Sequence, residues 1–502
     1  MKPIKKASFF NIVGAGILVL WLVMIGLLIK KTSFDNRKNG GTISEKKSQL
    51  QASFEREWME IYLKKKKVGY SVRSTSPAGE GFLISEEIYM RLNLLGQANS
   101  ISTVTQSIVD DRFRLKSFVF RMKSGIVTFQ VAGKVNGNRM ILKTGQGRKK
   151  TTHTIRLKDP PVIGAGVAGF FKGRELKVGE SFKFPVFDPA TMTQKDAVFT
   201  VKSEERIVIN RIGYDALRLE AELFGRPMTF WLDRDGTVLK EEGFMGFTLV
   251  KSSVGRADKD IESSGGEDFY RLASINPDRK LPRADRLTYL KVEMSGFEKN
   301  DFDTGILDRG RQKYHSGILE VFKEKRLSKP GYSIPYSDDL QNMRRFLSPE
   351  PGISSDHEEI VKKARAIVRD NRNPGVAMEK IVSWVYWNLK KKPVVAVPDS
   401  LEILRTMVGD CNEHAVLVTA LLRAIGIPAR VCVGLVYGRG AFYYHAWTEG
   451  YEGQWISMDA TLNQMPADAT HIKLVQGGLD KQVDIIGLIG NLKLKVVEYR
   501  YD

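Results

Sequence analysis

Residues 409–437 read "GDCNEHAVLVTALLRAIGIPARVCVGLVY", and the rest of the chain is read outward from them. Ala415, Val418, Leu421, Leu422 and Ile425 keep the spacing of one helical stripe, and Val416, Leu417 and Ala420 widen it around the cylinder. The pattern predicts a buried helix from Cys411 to Ile425. Gly426 and Pro428 end it in the usual order, glycine first and proline beyond. "ARVCVGLVY" (429–437) then reads as a strand. Gly409 and Asp410 read as turn and cap, which sets Cys411 in the first helical turn. Free N–H groups and the positive end of the dipole favour a thiolate there, and such sites lower a cysteine pKa from about 8.5 to roughly 3.5–7.5.

A nucleophilic thiol needs a base, and the base needs an orienting group. Downstream, "AFYYHAWTE" (441–449) and "QWISMD" (454–459) read as two further strands separated by the turn "GYEG". Alternation puts Tyr443, His445 and Trp447 on one face, and Trp455, Ser457 and Asp459 on one face. A three-residue loop, Tyr451 to Gly453, pairs Gly450 with Gln454 and sets His445 directly opposite Asp459. A two-residue loop would oppose His445 to Met458 and require a bulge.

A Cys, His, Asp order on a helix start and two adjacent strands resembles the transglutaminase-like superfamily of papain-type cysteine enzymes. The segment quoted above looks like that family's nucleophile helix and following strand, "YYHAW" like its histidine strand, and "WISMDAT" like its aspartate strand. The tail "DATHIKLVQG" is similar to the continuation seen in bacterial members. The resemblance covers roughly residues 355–475 and implies Cys411 as nucleophile, His445 as general base and acid, and Asp459 as the residue that holds the imidazole. It departs at Asp459-Ala460, where the family commonly has proline. The chemistry implied is thiol attack on an amide or ester carbonyl, with the acyl-enzyme resolved by water or an amine. A catalytically silent scaffold of the same fold is the alternative.

Other groups compete for these roles. His414 stands three residues after Cys411 and could serve as base, or could join Cys411, His445 and Asp459 around zinc. The resemblance accounts for three of these residues without metal, so no metal or cofactor is expected and His414 is read as a packing or hydrogen-bonding neighbour. Cys432, within an apolar strand, reads as core. With two cysteines in 502 residues and no CxxC spacing, a disulfide scaffold and a standard zinc finger are excluded. His153, His315, His357 and His471 have no evident partners, although His471 follows the last strand of the site.

Upstream, 54–262 is dense in period-two segments such as "RFRLKSFVFRM" (112–122), with turn signals between them, and predicts a large antiparallel sheet. The lysines at 64–67 read as a hairpin tip between "WMEIYL" and "VGYSVRS". Asp233 and Asp235, in "FWLDRDGTVLKEEG", read as turn residues rather than catalytic carboxylates. Residues 263–350 form a mixed connecting segment with one clear strand, "LTYLKVEMS". From Ser355 the period turns helical, with Ser355 or Asp356 as cap, a second helix from Pro374 to Lys390, and Trp384, Tyr386 and Trp387 as core.

The net charge of +20 is spread along the chain, with no Walker or helix-turn-helix pattern beside it, so nucleic acid is not an expected partner. The apolar run from Phe9 to Ile29, bracketed by lysines, is long enough for a spanning helix. The expected fold class is therefore α+β: a stub and transmembrane anchor (1–31), a linker (32–53), the β-rich domain (54–262), the connecting segment (263–350) and a transglutaminase-like domain (351–502). The expected setting is the inner membrane of a bacterial cell envelope, with the catalytic domain outside the cytoplasm and a protein or peptide as substrate.

Overall fold

The computed structural model describes residues 55–501, apart from 146–150, 224–225, 244–245, 262–267, 269–270, 272, 298–302, 394–396, 479–487 and 489–490. Its largest feature is a 15-stranded sheet. Successive hairpins build it, and every neighbouring pair is antiparallel except Val162–Ile163 with Ser181–Asp188. Glu55–Leu63 lies in the middle of the order and pairs with both Lys66–Ala78 and Phe247–Ser252. The two edge strands, Thr151–Arg156 and Val162–Ile163, are joined through only 157–161. The sheet must therefore curl until its edges approach. Phe118 from one half meets Phe187 from the other at 5.3 Å between ring centres, inside one apolar core.

Local chemistry explains the hairpins. Lys64 and Lys65 carry positive φ at the tip between Glu55–Leu63 and Lys66–Ala78, as their surface position allows. The Asp233 carboxylate accepts the N–H groups of Asp235 and Thr237, a turn-stabilising role.

The C-terminal unit is built on helices α1 (Glu358–Val368), α2 (Pro374–Asn388), α3 (Ser400–Thr406) and α4 (Cys411–Ala424). Against them stands a sheet of β1 (Ala429–Gly438), β2 (Ala441–Tyr451), β3 (Trp455–Met458) and β4 (Ile472–Gln476), in the order β3-β2-β1-β4. A further sheet joins Leu287–Ser295 to the C-terminal strand Lys493–Tyr501, and its apolar side belongs to the same core as α4 and β1. The cap of α1 is His357, whose Nδ1 accepts the Glu359 N–H at 3.2 Å, not Ser355 or Asp356. Pro374 opens α2 as expected. Of the aromatic trio in α2, Trp384 packs on the core, but Trp387 is 76% exposed.

The α+β expectation is corrected. Strands account for 50% of the structure and helices for 19%, so the fold is mostly β. The period-two ladder runs on to Ser252, whereas the longer helices are confined to 358–424. No helix among the described residues is long and apolar enough to cross a membrane. The run from Phe9 to Ile29, expected as a transmembrane anchor, lies outside the described residues, and the fold formed by the described residues contains no spanning helix.

Candidate active site

Cys411 is the first residue of α4 and is half-buried. Asp410 caps the helix through a reciprocal box: its carboxylate accepts the Asn412 N–H at 3.0 Å, and the Glu413 carboxyl accepts the Asp410 N–H at 2.8 Å. Gly409 is required by space, because a Cβ there would lie 2.2 Å from Cβ of Glu413. The cap changes the electrostatics expected for the thiol. Burial pushes the Cys411 thiol well above its ordinary value, the charge of Asp410 adds to this, and the Ala446 N–H bonded to the sulfur works against it. The carboxyls that satisfy the helix end also offset the positive potential that would favour a thiolate.

The Thr448 hydroxyl of β2 donates to the Ala415 carbonyl of α4 at 3.0 Å and ties the cysteine helix to the histidine strand. The hairpin register differs from the expectation. Thr448 pairs with Met458, Gly450 with Ile456 and Tyr451 with Trp455, which shifts the ladder by two residues. Asp459 leaves the ladder and bridges Gln464 instead. A shift of two preserves the face, and a diagonal neighbour remains within side-chain reach. His445 Nε2 therefore still meets Asp459 Oδ2, at 2.7 Å. With Nε2 so engaged, Nδ1 is the ring nitrogen left for a thiol or substrate.

Asp459 is completely buried. Its Oδ1 accepts the backbone N–H groups of Thr461, at 2.6 Å, and Leu462, at 3.2 Å. Its Oδ2 accepts a second imidazole, His471 Nε2, at 3.1 Å. Burial alone would favour the neutral acid, but His445, His471 and these hydrogen bonds hold the carboxyl well below the usual range. His471 stands immediately before β4. The one signal for it in the sequence is its place in "DATHIKL", where Asp468 three residues earlier faces its other nitrogen at 3.3 Å.

His414 plays no part in this pairing. Its Nδ1 lies 2.6 Å from the Asp410 carbonyl, an acceptor that requires the proton on Nδ1, and burial keeps the ring neutral. Its Nε2 is buried with no partner among the described residues. Cys432 is fully buried in β1, and burial raises its thiol far beyond the ordinary range.

Two residues of the connecting segment support the aspartate loop. The buried Arg311 guanidinium donates to the carbonyls of Ala467, at 3.0 Å, and Asp468, at 2.6 Å, and also bonds Ser457. The Gln312 amide exchanges two hydrogen bonds with the backbone of Lys473 in β4. The spacing of His445, Asp459 and His471, with one ligand atom each inside 4.8 Å, would accommodate a cation. Both Nε2 atoms instead lie at hydrogen-bond length from one oxygen, so each carries a proton that a metal ligand would have to lose.

Residues 361–460 match the Transglutaminase-like superfamily, a span that holds Cys411, His445 and Asp459. No curated protein matches the chain. Among solved structures, similarity extends to a candidate cysteine protease from Cytophaga hutchinsonii, at 16% identity over 46% of this chain and 83% of that one, with a TM-score of 0.26. A β-barrel-like domain of unknown function from Brucella abortus is 12% identical over 39% of this chain and 94% of its own, with a TM-score of 0.32. A candidate protease from Parabacteroides distasonis is 11% identical over 76% and 70%, with a TM-score of 0.19.

Proposed function

We propose that the transglutaminase-like part of the chain is a cysteine enzyme that transfers or hydrolyses acyl groups of a protein or peptide. The observation that carries this reading is the 2.7 Å bond between His445 and Asp459, on the strand that is tied to the Cys411 helix through the Thr448 hydroxyl and the Ala415 carbonyl at 3.0 Å. In the proposed cycle the Cys411 proton passes to His445 Nδ1 as sulfur attacks an amide or ester carbonyl. The resulting imidazolium is stabilised by Asp459 and returns the proton to the leaving amine or alcohol. Water or an amine then attacks the acyl-enzyme carbonyl, His445 takes its proton, and the thiol is regenerated. The Cys411 N–H at the helix start is a natural donor to the developing oxyanion.

Burial and Asp410 oppose a free thiolate at Cys411, so the sulfur must be ionised by transfer to His445 rather than by the helix end alone. The same shift favours the second reading, a silent scaffold. Iodoacetamide labelling of the folded chain near neutral pH separates them. Cys411 is expected to react at least about 100-fold faster than Cys432, and His445→Ala to lower that rate by 10²-fold or more. Equal labelling of the two cysteines would overturn the enzymatic reading.

A further inference from the structure

His471 is completely buried, and both of its ring nitrogens face carboxylates: Nε2 to Asp459 Oδ2 at 3.1 Å, and Nδ1 to Asp468 Oδ1 at 3.3 Å. An ionised carboxylate only accepts, whereas a neutral imidazole has one nitrogen that cannot donate. The oxygens are themselves committed. Asp459 Oδ1 takes two backbone N–H groups, and Asp468 takes the N–H and hydroxyl of Thr470 and the amide of Gln464. Donors on every side of both carboxyls favour their charged forms. The one protonation state that satisfies all these contacts has a proton on each nitrogen of His471.

We propose that His471 is a positioning residue for the reaction, a permanent imidazolium that bridges Asp459 and Asp468, fixes Asp459 Oδ2 toward His445, and supplies a positive charge beside the Cys411–His445 pair. This rests on the assignment of Cys411, His445 and Asp459 as the reacting group. Burial opposes the charge on His471, but Asp468 first and Asp459 with it raise the imidazole to about 9. The Trp447 ring stands edge-on to His471 at 5.3 Å, and the His445 ring at 5.9 Å. The other charged groups around the cluster are Arg311, which binds the backbone at 467 and 468 and pairs with Glu324, and Lys391, close enough to feel Asp459. Arg311 is held by its own carboxylate, and the groups in direct contact with Asp459 Oδ2 are the two imidazoles, His445 and His471.

A cation here has a directional effect. A positive charge beside the site favours the Cys411 thiolate, so loss of the His471 charge makes that thiolate harder to form. In His471→Gln the acid midpoint of Cys411 alkylation by iodoacetamide is expected to rise by about 0.5–1 pH unit. A loss of packing alone would lower the rate without moving that midpoint. The protonation state is read independently by nitrogen-15 NMR of histidine-labelled full chain at pH 7.5. His471 should show two ring N–H protons, both lost in His471→Gln. If that variant does not fold, Asp468→Asn serves instead, and the ring titration of His471 should fall by at least about 1 unit. A single ring proton on His471, an unmoved alkylation midpoint in folded His471→Gln, or an unmoved ring titration in Asp468→Asn would overturn the proposal. The NMR reading needs no reactive thiol, so an inert Cys411 would sink the enzymatic reading while leaving the doubly protonated bridge to stand or fall by itself.

Discussion

The residues around Cys411 show how far a short motif can be read. Gly409 and Asp410 read as turn and cap, and the structure forms that cap with Glu413 as its reciprocal partner. The motif does not disclose the sign of its effect on the thiol, because that depends on burial of Cys411 and Glu413 and on carboxyls that offset the helix end. Gly409 follows the same logic. Nothing in its neighbours demands glycine, but Cβ of Glu413 occupies the space a side chain would need. Gly409→Ala is expected to cost about 1–3 kcal/mol by forced overpacking, and Glu413→Ala about 1 kcal/mol through the lost cap. Urea unfolding measures both. The clash argument predicts that Gly409→Ala combined with Glu413→Gly is less destabilised than the sum of the two, since the second change removes the Cβ that the new methyl would meet. Strict additivity would show that the close approach is not the cause.

At the scale of elements, the three site strands fall close to where alternation puts them, and α4 ends where Gly426 and Pro428 require. Register was less legible. The turn sits at 452–454 rather than 451–453, and only the even size of the shift keeps His445 and Asp459 on one face. Long-range partners were hardly legible beyond the position of His471 after the last site strand, because Arg311, Gln312, His471 and Lys473 meet the site strands across 12 to 161 positions of chain. Lys473 illustrates the energetic weight of such a meeting. Its ammonium lies 2.7 Å from Glu449, which Arg430 also grips at 2.7 Å, and all three side chains are largely buried. Burial would raise the Glu449 carboxyl, but Lys473 and Arg430 outweigh it and bring it down from 4.5 to about 2. A carboxyl lowered on folding stabilises the native state fully above its unfolded value, and that stability drains as pH falls through the folded one. The contribution of Glu449 is therefore expected to be lost between pH 4.5 and about 2. Lys473→Met should cost about 3–5 kcal/mol near neutrality and flatten the fall of stability across that acid window. Denaturant titrations at several pH values test this, and an unchanged acid slope in the variant would rule the triad out as its source.

Across the whole molecule, the extent of the large sheet was legible from period-two patterning, while its curling was not, since closure depends on which edges 157–161 brings together. The same holds for the junction between the sheet and the helical unit. Thr151 and Ser354 face each other through their hydroxyls at 3.4 Å. Val397, just before α3, belongs to the same apolar core as Phe118, Phe120, Phe129, Val131 and Leu142 of the sheet. The side chain belongs to one unit by sequence and to another by packing, a contact that no local pattern announces. It also offers a mechanical prediction. Phe54–Asp502 behaves as one compact unit in its contacts, and Val397 is an apolar side chain from the helical unit that packs in the sheet's core. Val397→Ala should lower stability by about 1–2 kcal/mol through lost burial and a small cavity. Val397→Asp would bury an unpaired carboxylate in that apolar core, which is far more costly than withdrawing the side chain. The side chain is therefore expected to leave, so that calorimetry resolves two transitions where the parent chain shows one, with the Cys411 alkylation rate kept below the first of them. A single transition at the parent's temperature in Val397→Asp would mean that this side chain carries none of the coupling.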